Sequence, residues 1–286
     1  MEWGEISGFT RVENGEVSGS HEEESNFMQY PYQNPNLGFL MNQTIGFSRN
    51  IFILDMKQGD VNGDGIVDIV YLYGNKPEGP SGNFADNITL VIEDGLSKQH
   101  TTVNLEFNAG YNARLFLGDF DKDHISDILV SIDTGGSGGY GIFYIYSFKN
   151  NIVREMFNFD QYNKEYKFNV NYEDFYKVSV SSPQLDVLFT IDINNKGTEY
   201  LSQYYDDNGK LKKPIKGEVL ALGALYPIVT NPKNLNYDLL ALQRIIGTSN
   251  ADTLGYVENN FTWNGFTLIS SRLSVSILGT KLIALY

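Results

Sequence analysis

Gly59-Asp60-Val61-Asn62-Gly63-Asp64-Gly65-Ile66-Val67-Asp68-Ile69-Val70 and Gly118-Asp119-Phe120-Asp121-Lys122-Asp123-His124-Ile125-Ser126-Asp127-Ile128-Leu129 are two copies of one pattern. With Asp60 and Asp119 as position 1, acidic or amide side chains stand at positions 1, 3, 5 and 9 of each, and a hydrophobic run follows at once. Alternate residues of a tight loop can aim several oxygens at one centre, and a hard cation such as Ca²⁺ takes six to eight of them. The spacing therefore predicts an oxygen-lined loop that feeds directly into a strand.

The pattern recurs after 59 residues, together with its surroundings. Ile51-Phe52-Ile53-Leu54 and Ala113-Arg114-Leu115-Phe116-Leu117 enter the loops, and Asp68–Tyr73 and Asp127–Ile132 leave them as buried strands. Further strands are expected at Ile88–Ile92 and Thr101–Phe107 in the first copy, and at Gly141–Phe148 and Ile152–Phe159 in the second, joined by an Asn150-Asn151 turn. Each unit reads strand, acidic loop, strand, loop, strand, turn, strand, about the size of one four-stranded propeller blade. Weaker copies are expected beyond residue 165. Strands at Tyr166–Val170, Tyr176–Val180 and Val187–Ile191 lead to Asp192-Ile193-Asn194-Asn195-Lys196-Gly197. There Lys196 stands in place of a carboxylate, which reads as a loop that kept its turn and lost its ion. Asp238–Leu242 resembles the strands that follow the two acidic loops, and Trp263-Asn264-Gly265 marks a closing hairpin. Tyr200–Leu211 is compatible with a short helix or an irregular insertion. The expected architecture is all-β and propeller-like, with four or five blades of antiparallel strands. Residues 51–286 form that domain, and an acidic, weakly patterned segment at 1–50 packs on it or closes it.

As chemistry, the first loop offers side-chain oxygens from Asp60, Asn62, Asp64 and Asp68 and a carbonyl from Ile66. The second offers Asp119, Asp121, Asp123 and Asp127 and the carbonyl of Ile125. About two Ca²⁺ are expected. Gly65 permits the left-handed turn around an ion, and His124 occupies that position at a conformational cost in the second loop. Four carboxylates against three argue in the other direction, for tighter binding by the second loop. Mg²⁺ demands a tighter octahedron, and Zn²⁺ wants His or Cys. An EF-hand needs a bidentate Glu at position 12, where Tyr71 and Val130 stand inside strands.

These loops resemble the Asp-x-Asp-x-Asp-Gly-x-x-Asp loops of FG-GAP/VCBS-type repeats, the calcium blades of integrin-like β-propellers. The wider pattern resembles Firmicute VCBS-repeat proteins, some linked to spores or the envelope. It is carried by Asp86–Ile92, Ala109–Asn112, Gly118–Phe120, Asp133–Gly139 and Asn250–Val257, and extends over most of the chain after residue 50. The resemblance implies a calcium-stabilised propeller. His124 in place of glycine and the degraded later loops depart from the family pattern.

The remaining composition narrows the function classes. A net charge of −14 repels nucleic-acid phosphates. There is no cysteine, so disulfides and thiolate sites are excluded. No apolar run reaches the length of a membrane span, and residues 1–25 carry seven glutamates rather than the pattern of a signal peptide. The glycine cluster at 135–139 lacks the Lys-Ser/Thr of a phosphate loop. The three histidines, His21, His100 and His124, have no triad context. The expected function is a non-enzymatic structural or interaction module. It is expected to be monomeric and extracellular, or associated with the envelope or spore of a Gram-positive bacterium, with a protein or glycan partner. The alternative is a glycan-binding or glycoside-hydrolase propeller using carboxylates outside the calcium loops.

Overall fold

The structure, a computed structural model, describes residues 50–233 and 236–279. The expectation for segment 1–50 therefore lies outside the described residues, Asn50 apart. The apolar runs flanking each acidic loop are antiparallel strands. β1 (Ile51–Gly59) enters the first loop and β2 (Asp68–Asn75) leaves it, with Gly59 opposite Asp68. β3 (Phe84–Glu93) and β4 (His100–Asn104) complete a four-stranded meander. The second copy repeats it with β5 (Gly110–Gly118), β6 (Asp127–Asp133), β7 (Gly141–Ser147) and β8 (Arg154–Asn158), and Gly118 lies opposite Asp127. Two residue pairs, Phe84 with Tyr111 and Ala85 with Gly110, join the meanders into one eight-stranded sheet. The Asn150-Asn151 turn is formed, with both residues at positive φ, 55° and 62°, a region asparagine tolerates better than most residues.

The second half is built differently from the expected run of further blades. After helix α1 (Phe159–Glu165) come β9 (Asn169–Glu173), β10 (Lys177–Ser182), β11 (Val187–Asp192), helix α2 (Thr198–Tyr204), β12 (Lys216–Ile228), β13 (Asp238–Ile246), β14 (Thr253–Trp263) and β15 (Leu268–Ser276). They form one continuous sheet in the order β11-β10-β9-β12-β13-β14-β15. The cause is β12, thirteen residues long, whose start at Lys216–Glu218 pairs with β9 while the rest pairs with β13. That strand fuses what the sequence suggests are separate clusters.

Period-two alternation sets the layers. In β6 and β7 every residue but the terminal Asp133 is buried, so both faces must be covered. Ile128, Val130 and Ile132 of β6, with Ile142, Tyr144 and Tyr146 of β7, pack in a core shared with Val70, Leu72, Ile88, Leu90 and Ile92 of the first meander. The alternate residues, Leu129, Phe143 and Ile145, pack against Leu222, Leu225, Leu239, Ala241 and Phe261 of the C-terminal sheet. The second meander is thus the middle of three layers. The C-terminal sheet curls around a third core that includes Val178, Val180, Ile191, Leu201 and Val257. Burying each such aliphatic side chain contributes about 1.5–3 kcal/mol. Among the described residues no helix is long and apolar enough to cross a membrane.

Candidate metal centre

Both acidic loops fold onto the same backbone path although their residues differ. Positions 4 and 6 are left-handed in each: Gly63 and Gly65 at φ 86° and 83°, Lys122 and His124 at 66° and 70°. Glycine takes this conformation freely, whereas Lys122 and His124 carry a cost of about 1 kcal/mol each. The carboxylate at position 1 supports the turn from inside. Asp60 accepts the N–H groups of Gly63 (2.7 Å) and Gly65 (2.9 Å), and Asp119 accepts those of Lys122 (2.6 Å), Asp123 (3.1 Å) and His124 (3.1 Å). Position 5 repeats the device, Asp64 accepting from Ile66 and Asp123 from Ile125. Position 9 reaches back across the loop mouth. Asp68 accepts from Val61 (2.9 Å) and from Gly95 (2.8 Å), while one oxygen of Asp127 accepts from both Phe120 (2.9 Å) and Asp121 (3.2 Å). Position 2 is the anchor. Val61 is buried between the two meanders, and Phe120 lies against the rings of Phe116 and Tyr237 in the core shared with the C-terminal sheet.

The loops differ in how closely they gather their side-chain oxygens. In the second, oxygens of Asp119, Asp121 and Asp127 all lie within 4.8 Å of one another. Two oxygens bound to one Ca²⁺ at about 2.4 Å each can be no more than about 4.8 Å apart, so this set is already spaced for a shared ion. Asp121 is the telling member. Its side chain is only 7% exposed, and its Oδ1 is buried with no hydrogen-bond partner while Oδ2 pairs with Arg154 at 2.7 Å. An orphaned buried carboxylate oxygen is costly unless something positive meets it. Asp123 pairs instead with Lys149 at 2.8 Å. In the first loop Asp60, Asp64 and Asp68 form no such tight group. Asn62 is buried, with its amide nitrogen donating to Asn151 (3.1 Å) and Asp94 (3.5 Å). Ile66 and Ile125 stand at position 7 as expected, and the side chain of Ile125 packs on Gly63, where an added Cβ would lie 2.5 Å from it. The two loops therefore touch.

The electrostatics follow from the crowding. Burial, aided by the charges of Asp121 and Asp123, pushes the Asp127 carboxyl up to about 7 despite its two backbone hydrogen bonds. Burial and the neighbouring Asp123 raise Asp121 as well. Asp123 goes the other way, because Lys149 and the Ile125 N–H outweigh its burial. A cation bound beside Asp127 would take the place of the proton that its carboxyl otherwise keeps up to about pH 7.

Several contributors were not foreseen from sequence. Lys149 and Arg154 come from the β7–β8 hairpin, far along the chain from the carboxylates they meet. Asp94, in the expected Glu93-Asp94-Gly95 turn, accepts from Leu96 and Ser97 beside Asn62. Asp238, at the start of β13, binds Lys122 of the second loop at 3.1 Å along with Thr230 and Thr262. At the degraded loop, Asp192 caps Asn194 (2.9 Å) and pairs with Lys177, and Gly197 keeps a positive φ of 86°. Lys196 there bonds Asp252 (3.1 Å) and the Thr253 carbonyl (2.9 Å), and the chain continues into α2 rather than a strand.

Comparison with known proteins gives a consistent division. The YybI C-terminal domain family matches residues 166–276, which coincides with the seven-stranded sheet. The chain is also 44% identical over 230 residues to a Bacillus subtilis (strain 168) protein described as uncharacterized protein YybI, covering 80% of this chain and 87% of that relative. The chain belongs to the YybI family. The similarity extends well beyond the C-terminal domain, because 230 aligned residues exceed the length of that domain.

Proposed function

We propose that this chain is a calcium-binding, non-enzymatic β-module in which an ion clamps the strand-to-strand loop of each N-terminal meander. The observation that carries the reading is the second loop, where the buried, unpartnered Oδ1 of Asp121 belongs to a group of three aspartates spaced for one cation. The flexible all-oxygen donor set suits Ca²⁺. The ligands are Asp119, Asp121, Asp123, Asp127 and the Ile125 carbonyl, with Asp60, Asn62, Asp64, Asp68 and the Ile66 carbonyl in the first loop. The two meanders pack across a shared core while also joined edge to edge, and the shared core supports a propeller-like reading of the FG-GAP/VCBS type for the N-terminal half. An exported setting, where free Ca²⁺ is high, suits a loop of this kind. Binding to the folded chain alone appears as stability, so calorimetric melting with calcium and with chelator tests the proposal. A higher melting temperature in calcium, lost in Asp119→Ala, supports it. Identical melting in both conditions refutes it.

A second reading, a glycan-binding module, is favoured by one feature. A cavity of about 410 Å³ is lined by Phe157, Tyr162, Tyr166 and Phe261 together with Glu155 and Glu165, carboxylates outside the acidic loops. Phe157, Tyr162 and Phe261 are buried, so the half-buried Tyr166 is the ring that a sugar would meet beside the two carboxylates. A glycan array decides it, with Tyr166→Ala removing any signal that arises there.

A further inference from the structure

We propose that Lys149 and Arg154 form a cationic clasp that sets how tightly the second loop holds its ion. The inference rests on the calcium reading above and adds the residues that tune it. Each cation holds one oxygen of one ligand: Lys149 Nζ is 2.8 Å from Asp123 Oδ2, and Arg154 Nη2 is 2.7 Å from Asp121 Oδ2. The oxygen Arg154 leaves alone, Asp121 Oδ1, is the buried one without a partner. An ion can therefore enter without either pair breaking. Arg154 is itself fixed, because its guanidinium lies 5.1 Å from the ring centre of Trp263. The two side chains are exposed alike, 48% for Lys149 and 47% for Arg154.

The clasp opposes a ranking based on carboxylates alone. The second loop has four carboxylates against three, yet two permanent cations stand beside its ligands. Among the described residues no Lys, Arg or His forms an ion pair with Asp60, Asp64 or Asp68. A dication in the second loop is repelled by its own clasp, which offsets part of what the fourth carboxylate adds. The same hairpin also grips the first loop: the Asn150 N–H donates to the Asn62 carbonyl (2.9 Å) and Asn151 Oδ1 accepts from the Asn62 amide (3.1 Å). The clasp is thereby held at a fixed distance from both loops.

The test is calcium titration calorimetry on the full chain carrying Asp60→Ala, or Asp60→Asn if the first variant does not fold, so that the second loop is read alone. A unit charge roughly 5 Å from a dication in a water-like dielectric changes affinity on the order of tenfold. Lys149→Met in that background is expected to bind Ca²⁺ about tenfold more tightly, with the gain shrinking at about 1 M salt, where charges are screened within roughly 3 Å. Lys149→Arg, which keeps the charge, is expected to stay within about twofold of the parent. Unchanged or weaker binding by Lys149→Met overturns the clasp and leaves the calcium reading intact. No binding heat in the unmodified chain overturns the calcium reading itself.

Discussion

Replacing Asp127 by asparagine is expected to stabilise the calcium-free protein, by an amount that grows as pH rises from about 4 to 7. Asp127 is 2% exposed, and burial lifts its carboxyl from the ordinary 3.8 to about 7. The folded state then holds a proton between about pH 4 and 7 that the unfolded state has released. By linkage, stability falls as pH rises through that window, at about 1.4 kcal/mol per pH unit at most. Over the whole window the loss amounts to roughly 4 kcal/mol, the cost of keeping the buried carboxylate ionised above pH 7 without a cation. Asparagine removes the ionisation and keeps the shape. Both backbone bonds to Asp127 fall on a single oxygen, so the amide oxygen can accept from Phe120 and Asp121 alike. The assay is denaturant unfolding in chelator from pH 5 to 8.5, followed by tryptophan fluorescence. Asp127→Asn should exceed the parent by about 1.5 kcal/mol at pH 5 and by about 4 kcal/mol at pH 8. In saturating Ca²⁺ the order should reverse, because the parent gains an ion that the variant holds poorly. A variant that is destabilised at pH 8 in chelator, or whose effect is the same at every pH, refutes the reasoning.

Calcium at a hundredfold excess over its dissociation constant should raise unfolding free energy by about 2.7 kcal/mol per occupied loop, and Asp60→Ala and Asp119→Ala should each remove one share in the same unfolding assay. Gly65→Ala should cost about 1 kcal/mol, because its φ of 83° is the whole obstacle and nothing lies within 4 Å of the added Cβ. His124→Gly should do the opposite and stabilise by about 0.5–1 kcal/mol, since His124 holds a φ of 70°; thermal melts of the two variants give the signs. Leu222→Ala, in the core between the middle layer and the C-terminal sheet, should cost about 2–5 kcal/mol without altering calcium affinity, which equilibrium unfolding and titration together measure.

The N-terminal half was legible in the sequence because it repeats. Gly59 and Gly118 fall opposite Asp68 and Asp127, and the runs after each loop are strands, as two copies of one local pattern require. Turn chemistry also carried through: Asn150-Asn151 takes its left-handed turn, and the Phe266 and Thr267 N–H groups fold back onto the Asn264 side chain in the β14–β15 hairpin. The C-terminal half was legible as strands but not as a sheet. Local alternation shows which residues extend, whereas the pairing of β9 with β12 spans an insertion that holds α2, and nothing in either strand encodes the partner. The site divides the same way. Its candidate carboxylates follow a spacing rule within one loop, which is a pattern local sequence can display. Lys149 and Arg154 reach them from another hairpin, and single basic residues on a polar turn carry no signal until the fold brings them beside Asp121 and Asp123. His124 shows that a residue can break a glycine rule and still keep the backbone, because Asp119 braces the turn with three hydrogen bonds.

The most direct test of the central claim is a crystal structure grown in millimolar CaCl₂ and phased on the anomalous signal of the metal. The account predicts an ion in the second loop at about 2.3–2.6 Å from oxygens of Asp119, Asp121, Asp123 and Asp127 and from the Ile125 carbonyl, with Asp121 Oδ1 among its ligands. A well-ordered second loop with no anomalous peak, or a peak bound elsewhere while Asp121 Oδ1 stays unpaired, would contradict it.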